Sequence, residues 1–330
     1  MKARILVTGG AGYIGSHTCK ALAQAGLDPI VYDDLSNGHA AAVCWGPLVR
    51  GDVRDTEQLA GVMRDHRVSA VIHFAGLIEV GQSMSQPDRF WDYNVNGAES
   101  VVAAMHAAGV KRLVFSSSAA LYGAPSNLRP LSEADEARPS SSYGETKLAA
   151  ERLIAADCSS SGLEAVALRY FNAAGADPDG ELGEAHRPET HLIPLAIESA
   201  LDSSRSLTVF GDDYATPDGF CVRDYVHVSD LARAHVAALQ LNKIVDGFEA
   251  INLGRGEGAS VLQVIEAVGR SCGRRPTCLV GPRRPGDPPI LVANPARARD
   301  RLDWRPQIND LQAIIDSAVK WRLAPRFGAD

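Results

Sequence analysis

No Cys-x-x-C pair occurs among the six cysteines Cys19, Cys44, Cys158, Cys221, Cys272 and Cys278. That scatter argues against a zinc ribbon or a redox pair. It predicts reduced, mostly buried thiols in a cytoplasmic protein. No apolar run approaches the ~18 residues of a membrane span, so no membrane association is expected. Met1-Lys2-Ala3-Arg4 followed by Ile5-Leu6-Val7 is too short an apolar start for a secretory leader. There is no excess of basic charge. Lys and Arg total 33 against 40 Asp and Glu, a net charge of −7. Nucleic acid is therefore a poor candidate partner, while a local basic pocket for one phosphate group stays allowed. The chain also lacks repeats and low-complexity segments. What is present is 330 residues, 45% apolar and 22% charged, an ordinary globular composition. At ~150 residues per domain this is about two domains, or one domain with an appended lobe.

Short aliphatic runs alternate with alanine-rich helical stretches. Strands are expected at 5–7, 29–32, 68–74, 111–115, 164–169 and 250–253. Helices are expected at 17–25, stopped by Gly26, and at 97–108, 229–241 and 311–323. Nearly continuous apolar strands alternating with helices predict an α/β fold, a doubly wound parallel sheet of Rossmann type. After Phe171 the texture changes to turn-rich loops at 177–180, 211–219 and 281–289, then reverts. A smaller substrate-binding lobe is therefore expected to interleave with the sheet. The division predicted is 1–171 and 225–254 for the dinucleotide domain, and 172–224 and 255–330 for the lobe.

Directly after the first strand, Gly9, Gly12 and Gly15 form G-x-x-G-x-x-G. Such a loop turns sharply, lets backbone approach a pyrophosphate and starts a helix whose N-terminus faces the anion. Asp33 ends the next strand, about 20 residues on. An acid there accepts from ribose hydroxyls and repels a 2′-phosphate, which favours NAD over NADP. Asp34 doubles the acidic signal, and Asp52-Val53 after the third strand is a weaker candidate for the adenine edge.

Ser116-Ser117-Ser118 ends a strand, and Tyr143-Gly144-Glu145-Thr146-Lys147 is a Y-x-x-x-K. On a helix Tyr143 and Lys147 share one face. An ammonium beside a phenol favours the phenolate, so a pKa for Tyr143 lowered toward neutrality is expected. Tyr143 would then take a proton from a sugar hydroxyl, with Ser118 bonded to the same oxygen. Alone, Y-x-x-x-K is common and usually a surface pair; the glycine loop and the strand-end serines single it out.

These residues resemble the extended short-chain dehydrogenase/reductase superfamily, and within it the UDP-glucose 4-epimerase family. The resemblance covers almost the whole chain. Its general marks are 7–17, His73-Phe74-Ala75-Gly76, Asn94-Val95-Asn96-Gly97 and the serine strand. More particular are Leu168-Arg169-Tyr170-Phe171-Asn172, Val222-Arg223-Asp224-Tyr225, Asn252-Leu253-Gly254 and Arg283-Arg284-Pro285-Gly286-Asp287. The resemblance implies an isomerase that oxidises C4 of a UDP-sugar with NAD, turns the 4-keto sugar and re-reduces it, interconverting UDP-glucose and UDP-galactose. It implies Tyr143 as base, Lys147 as its tuning partner on the nicotinamide ribose and Ser118 as assistant. Tyr13, Ile14, Asn37, Phe74, Ala75, Gly76, Ser116 and Phe171 would join the glycines and acids around NAD. Asn172, His191, Leu192, Thr208, Phe210, Arg223, Arg284 and Asp287 would hold the UDP part. Arginines suit a diphosphate because they bind it bidentately. A homodimer is implied as well.

The chain departs from that pattern at several places. Ile78 and Tyr93 stand where lysine and asparagine are frequent near the cofactor, which implies weaker NAD retention. Ala120 replaces a threonine that can contact the sugar, which implies lower turnover. Phe220-Cys221 also differs, with no account from sequence. Leu291 occupies the position that gates the sugar pocket by size: tyrosine excludes an N-acetyl group, smaller residues admit it. UDP-N-acetylglucosamine and UDP-glucuronate stay open as substrates. A 4,6-dehydratase would need an Asp-Glu pair where Ala119-Ala120 follows Ser118. A non-catalytic NAD-sensing protein would not need Tyr143 and Lys147. His73, His191 and His227 match no metal-ligand spacing, so no metal is expected.

Overall fold

Aliphatic side chains occupy both faces of the first strands, so those strands must be covered on both sides. They run as Arg4–Thr8 (β1), Asp28–Asp33 (β2) and Leu48–Arg50 (β3), with helices Tyr13–Gln24 (α1) and Thr56–Asp65 (α2). Ala70–His73 (β4), Val80–Ser85 (α3), Pro87–Trp91 (α4) and Gly97–Ala108 (α5) follow. Then come Arg112–Ser118 (β5), Ser142–Ser161 (α6), Glu164–Tyr170 (β6) and Asn172–Ala174 (β7). The second half contains Leu192–Leu201 (α7), Leu207–Phe210 (β8), Val222–Arg223 (β9), Tyr225–His227 (β10) and Val228–Leu239 (α8). Phe248–Leu253 (β11), Ala259–Ser260 (β12), Val261–Cys272 (α9) and Cys278–Gly281 (β13) come next. Ile290–Leu291 (β14), Ala296–Leu302 (α10) and Leu311–Leu323 (α11) complete the order. The computed structural model describes residues 2–125, 129–284 and 287–328.

Seven strands pair in the order β11-β6-β5-β4-β1-β2-β3, all parallel. Leu59, Met63, Val101, Met105, Ala150 and Ile154 from α2, α5 and α6 pack on one face with Leu6, Val71 and Leu113. Leu22, Leu231, Ala234 and Leu302 from α1, α8 and α10 cover the other with Val7, Ile72 and Leu168. This is the doubly wound α/β sheet expected. The strand order reverses between β1 and β4, where such sheets open a crevice at the carboxyl ends.

The second lobe has its own core. Ile193, Ile197, Ile265, Val268, Ile314 and Ile315 join α7, α9 and α11. Short pairings support it: β9 lies antiparallel to β12 and parallel to β14, and β8 is parallel to β13. The chain leaves the sheet after β6, returns through α8 and β11, and leaves again. Segment 296–304 differs from the expected division. Ala298, Leu302 and Trp304 pack with the sheet's core, and Trp304 Nε1 donates to Asp230 O at 2.8 Å.

Two boundaries moved for local reasons. Helix α1 starts at Tyr13, not His17, because Gly12 already caps it. The strand expected to reach Phe74 ends at His73, because the amides of Phe74 and Ala75 both turn back to Thr8 O.

Candidate functional site

The glycine loop is a cradle of bare backbone. A Cβ on Gly9 would stand 2.6 Å from Ala75 N, and one on Gly15 2.2 Å from Gly9 O. Gly9 also has φ +70°, which favours glycine. The loop leads into the N-terminus of α1, whose first turn carries no acid, an arrangement suited to an anion. Beside it, Asp33 Oδ2 accepts from Ala11 N at 3.0 Å and Oδ1 from Leu35 N at 2.8 Å. Burial raises the Asp33 pKa, and those two amides oppose the rise. Asp34 Oδ1 accepts from Ser36 N. Gly9, Gly12, Tyr13, Ile14, Gly15, Asp33, Asp34 and Asn37 all line one cleft, with Asp52, Val53, Phe74, Ala75, Gly76 and Ser116 along its floor. Asp52 is engaged: its carboxylate receives Arg54 Nε at 3.0 Å, and this ion pair holds its pKa down. Arg54 in turn stacks 3.9 Å from the Tyr93 ring. Tyr93 is thus the platform for that arginine.

The catalytic candidates meet in the middle of the cleft. Ser141 caps α6 by accepting from Gly144 N at 3.2 Å. That cap places Tyr143 in the first turn. A Cβ on Gly144 would stand 2.6 Å from Ala120 O, so the helix start presses on the turn after Ser118. Tyr143 and Ser118 line the same stretch of the cleft. Lys147 Nζ donates to Ser116 O at 3.0 Å and lies 5.8 Å from the Tyr143 ring. Burial pushes the Tyr143 pKa up to about 12, Ser118 opposes and Glu79 adds. Burial lowers the Lys147 pKa to about 8, against the pull of Glu151. In the protein alone, desolvation of the phenol outweighs its distant ammonium.

The far end of the cleft belongs to the lobe. Phe171 and Asn172 leave β6, and Asn172 N donates to Asp224 O at 2.9 Å. Arg223 Nη2 donates to Asp287 Oδ1 at 2.7 Å. The Arg284 guanidinium stands 4.0 Å over the Phe210 ring. Leu192, Thr208 and Leu291 complete this wall with Cys221. Leu291 pairs with Arg223 across β14 and β9 and packs in the cluster of Phe171. Pro285 and Gly286 of the arginine segment lie outside the described residues. His191 reaches the cleft, but its Nδ1 faces Glu184 at 2.8 Å and Glu189 at 3.2 Å. Burial disfavours its charge, yet these carboxylates lift its pKa to about 10. His73 and His227 are packing residues: His73 Nδ1 bonds Thr8 Oγ1 at 2.7 Å, and His227 Nδ1 accepts from Ser229 N.

The whole cleft holds about 1430 Å³, more than the ~300–1,000 Å³ of a single-ligand pocket. It has room for a dinucleotide and a nucleotide sugar meeting at Tyr143.

Comparison with known proteins decides the family. Residues 5–254 match the family model described as "NAD dependent epimerase/dehydratase family". This chain belongs to that family. A UDP-glucose 4-epimerase of Rhizobium meliloti is 48% identical over 319 residues, 96% of each chain. The crystal structure of UDP-glucose 4-epimerase from Brucella ovis with NAD is 48% identical, with a TM-score of 0.93 over 99% of this chain and 98% of that one. The Bifidobacterium longum UDP-glucose 4-epimerase, solved with NAD+ and UDP, is 34% identical with a TM-score of 0.93, over 99% and 100%. As a member of this family the chain is an NAD-dependent epimerase, and the glycine cradle beside Asp33 fits that cofactor.

Two groups in this epimerase escaped the sequence reading. Glu151 follows Tyr143 and Lys147 at the same helical spacing, which was a legible signal. It accepts from Arg169 Nε at 2.9 Å and from Ser117 Oγ. Arg169 Nη1 also donates to Tyr122 Oη, which donates to Asn252. The second group is Glu184, His186 and Glu189 gathered around His191, written in sequence as E-x-H-x-x-E-x-H.

Proposed function

We propose that this epimerase interconverts UDP-glucose and UDP-galactose with Tyr143 as the proton carrier. Supporting this reading is the position of Tyr143, Ser118 and Lys147 between the glycine cradle and the arginine-lined wall of one cleft. Gly9, Gly12, Gly15 and the α1 N-terminus hold the pyrophosphate of NAD, Asp33 its ribose, and Lys147 the second ribose. Bound there, NAD supplies a hydride acceptor and donor, and a positive ring that favours the phenolate. Tyr143 accepts the C4 hydroxyl proton and returns it, while Ser118 holds the same oxygen. Arg223 and Arg284 grip the diphosphate bidentately, and Asp287 keeps Arg223 in place. Asn172, Leu192, Thr208 and Phe210 form the nucleoside wall. The 4-keto sugar turns between Phe171 and Leu291, exposing its other face.

Residues 1–171 and 225–254 serve the dinucleotide in this reading, and 172–224 and 255–330 the sugar nucleotide, with 296–304 packed on the sheet. The protein acts in the cytoplasm as a homodimer, which light scattering on the purified protein tests.

The experiment is incubation with UDP-galactose without added cofactor, followed by separation of the C4 epimers. UDP-glucose should appear, and Tyr143→Phe should lower kcat by about 10²–10⁴-fold. No product even with added NAD would overturn the substrate and direct the search to UDP-glucuronate.

A further inference from the structure

Glu184, His186, Glu189 and His191 lie in the loop that leads into α7, beside the cleft. One donor atom from each falls within 4.8 Å of all the others. His186 Nδ1 is 3.1 Å from Glu184 Oε1 and 3.8 Å from Glu189 Oε2. His191 Nδ1 is 2.8 Å from the same Glu184 oxygen and 3.2 Å from Glu189 Oε1. With metal–ligand bonds of ~2.0–2.2 Å, neighbouring donors of a tetrahedral zinc site stand ~3.3–3.5 Å apart. The four histidine–carboxylate separations, two of them to different oxygens of Glu189, bracket that spacing, and one donor atom from each residue falls within reach of a common ion.

The two carboxylate side chains are only 9% and 8% exposed and pair with His186, 16% exposed, and with His191, 44% exposed at the mouth of the cluster. Buried carboxylates are stable when paired or when they coordinate a metal. The chain holds a useful contrast. Asp177, Asp179 and Glu181 also converge, but Lys20 Nζ fills their centre at 2.8, 2.7 and 2.8 Å. That cluster is a closed salt bridge.

We propose that Glu184, His186, Glu189 and His191 form a divalent-metal site of zinc type. Two imidazoles and two carboxylates suit zinc, whereas magnesium and calcium take oxygen ligands. Four protein ligands leave no open position, so the metal is structural. It joins three parts of the cleft wall. Trp321 Nε1 of α11 donates to Glu184 O. His191 caps α7. The His186 ring stands edge-on to Tyr13 of the glycine loop, with centroids 6.1 Å apart. A bound ion therefore ties the start of the substrate lobe to the dinucleotide cradle without touching Tyr143.

The test uses full-length protein without an affinity tag, stripped with a chelator and titrated with zinc or cobalt(II). Roughly one equivalent per chain should bind, with the intense visible bands of four-coordinate cobalt. Zinc should raise the unfolding temperature, and chelator should reverse the rise. The double variant His186→Asn, Glu189→Gln should lose the equivalent, while Asp179→Asn should keep it. Wild-type protein that binds no zinc, or a folded double variant that keeps its equivalent, would overturn the site. The wild-type stoichiometry decides even if the double variant does not fold.

Discussion

Replacing Glu151 with glutamine removes one charge from beneath the catalytic pair while keeping the side chain's shape. Glu151 is 3% exposed on α6. Its carboxylate receives Arg169 Nε at 2.9 and 3.2 Å and Nη2 at 2.6 Å. Without that negative charge the guanidinium, itself 11% exposed, is buried and uncompensated. Breaking a buried pair in this way costs about 3–5 kcal/mol. For 330 residues, at ~2.1 cal/mol/K each, the unfolding entropy is about 0.7 kcal/mol/K. The unfolding temperature should therefore fall by about 4–7 °C in calorimetry. Burial lowers the Lys147 pKa to about 8 and Glu151 pulls against it. Without Glu151 the ammonium gives up its proton at lower pH, so the alkaline fall in kcat should move to lower pH. Glu151 is thus a positioning residue with two separate readouts. A loss of less than about 1 °C with an unmoved alkaline limb would refute the reasoning.

Lys147→Met should uncouple stability from pH. The folded pKa of Lys147 lies near 8 against an ordinary 10.5, so between those values the unfolded chain binds more protons and stability rises with pH. The methionine variant should lack that rise, be more stable at neutral pH by up to roughly 3 kcal/mol, and lose most of its turnover; denaturant midpoints on either side of pH 8 that still climb in the variant would sink this. Leu291→Tyr should cut turnover of UDP-N-acetylgalactosamine by at least ~10-fold while leaving UDP-galactose within a few-fold, since Leu291 stands beside Phe171 and opposite Arg223 and bulk there narrows only the sugar pocket. Equal losses on both substrates, measured by epimer separation, would remove Leu291 as the gate.

Local signals carried most of the fold and the middle of the site. Continuous aliphatic runs such as Ile5-Leu6-Val7 demanded a sheet covered on both faces. The spacing of Gly9, Gly12 and Gly15 required a tight turn into a helix, and Asp33 sat where a strand would end. Tyr143 and Lys147 shared a face through helical geometry alone. All of these rest on periods of two to four residues, which a sequence displays directly.

What the tertiary structure decided depends on groups brought together from far apart. The direction of the Tyr143 pKa follows from its burial, and burial is set by packing across the cleft. Tyr93 looked like the loss of a polar contact, but folding places Arg54 on its ring. Segment 296–304 read as part of the lobe, yet Leu302 and Trp304 found the sheet's core. His191 lines the cleft as expected, and the loop also sets it against two carboxylates that sequence spacing did not bring to notice. In each case the chemistry was present in the sequence, and long-range packing chose its partner.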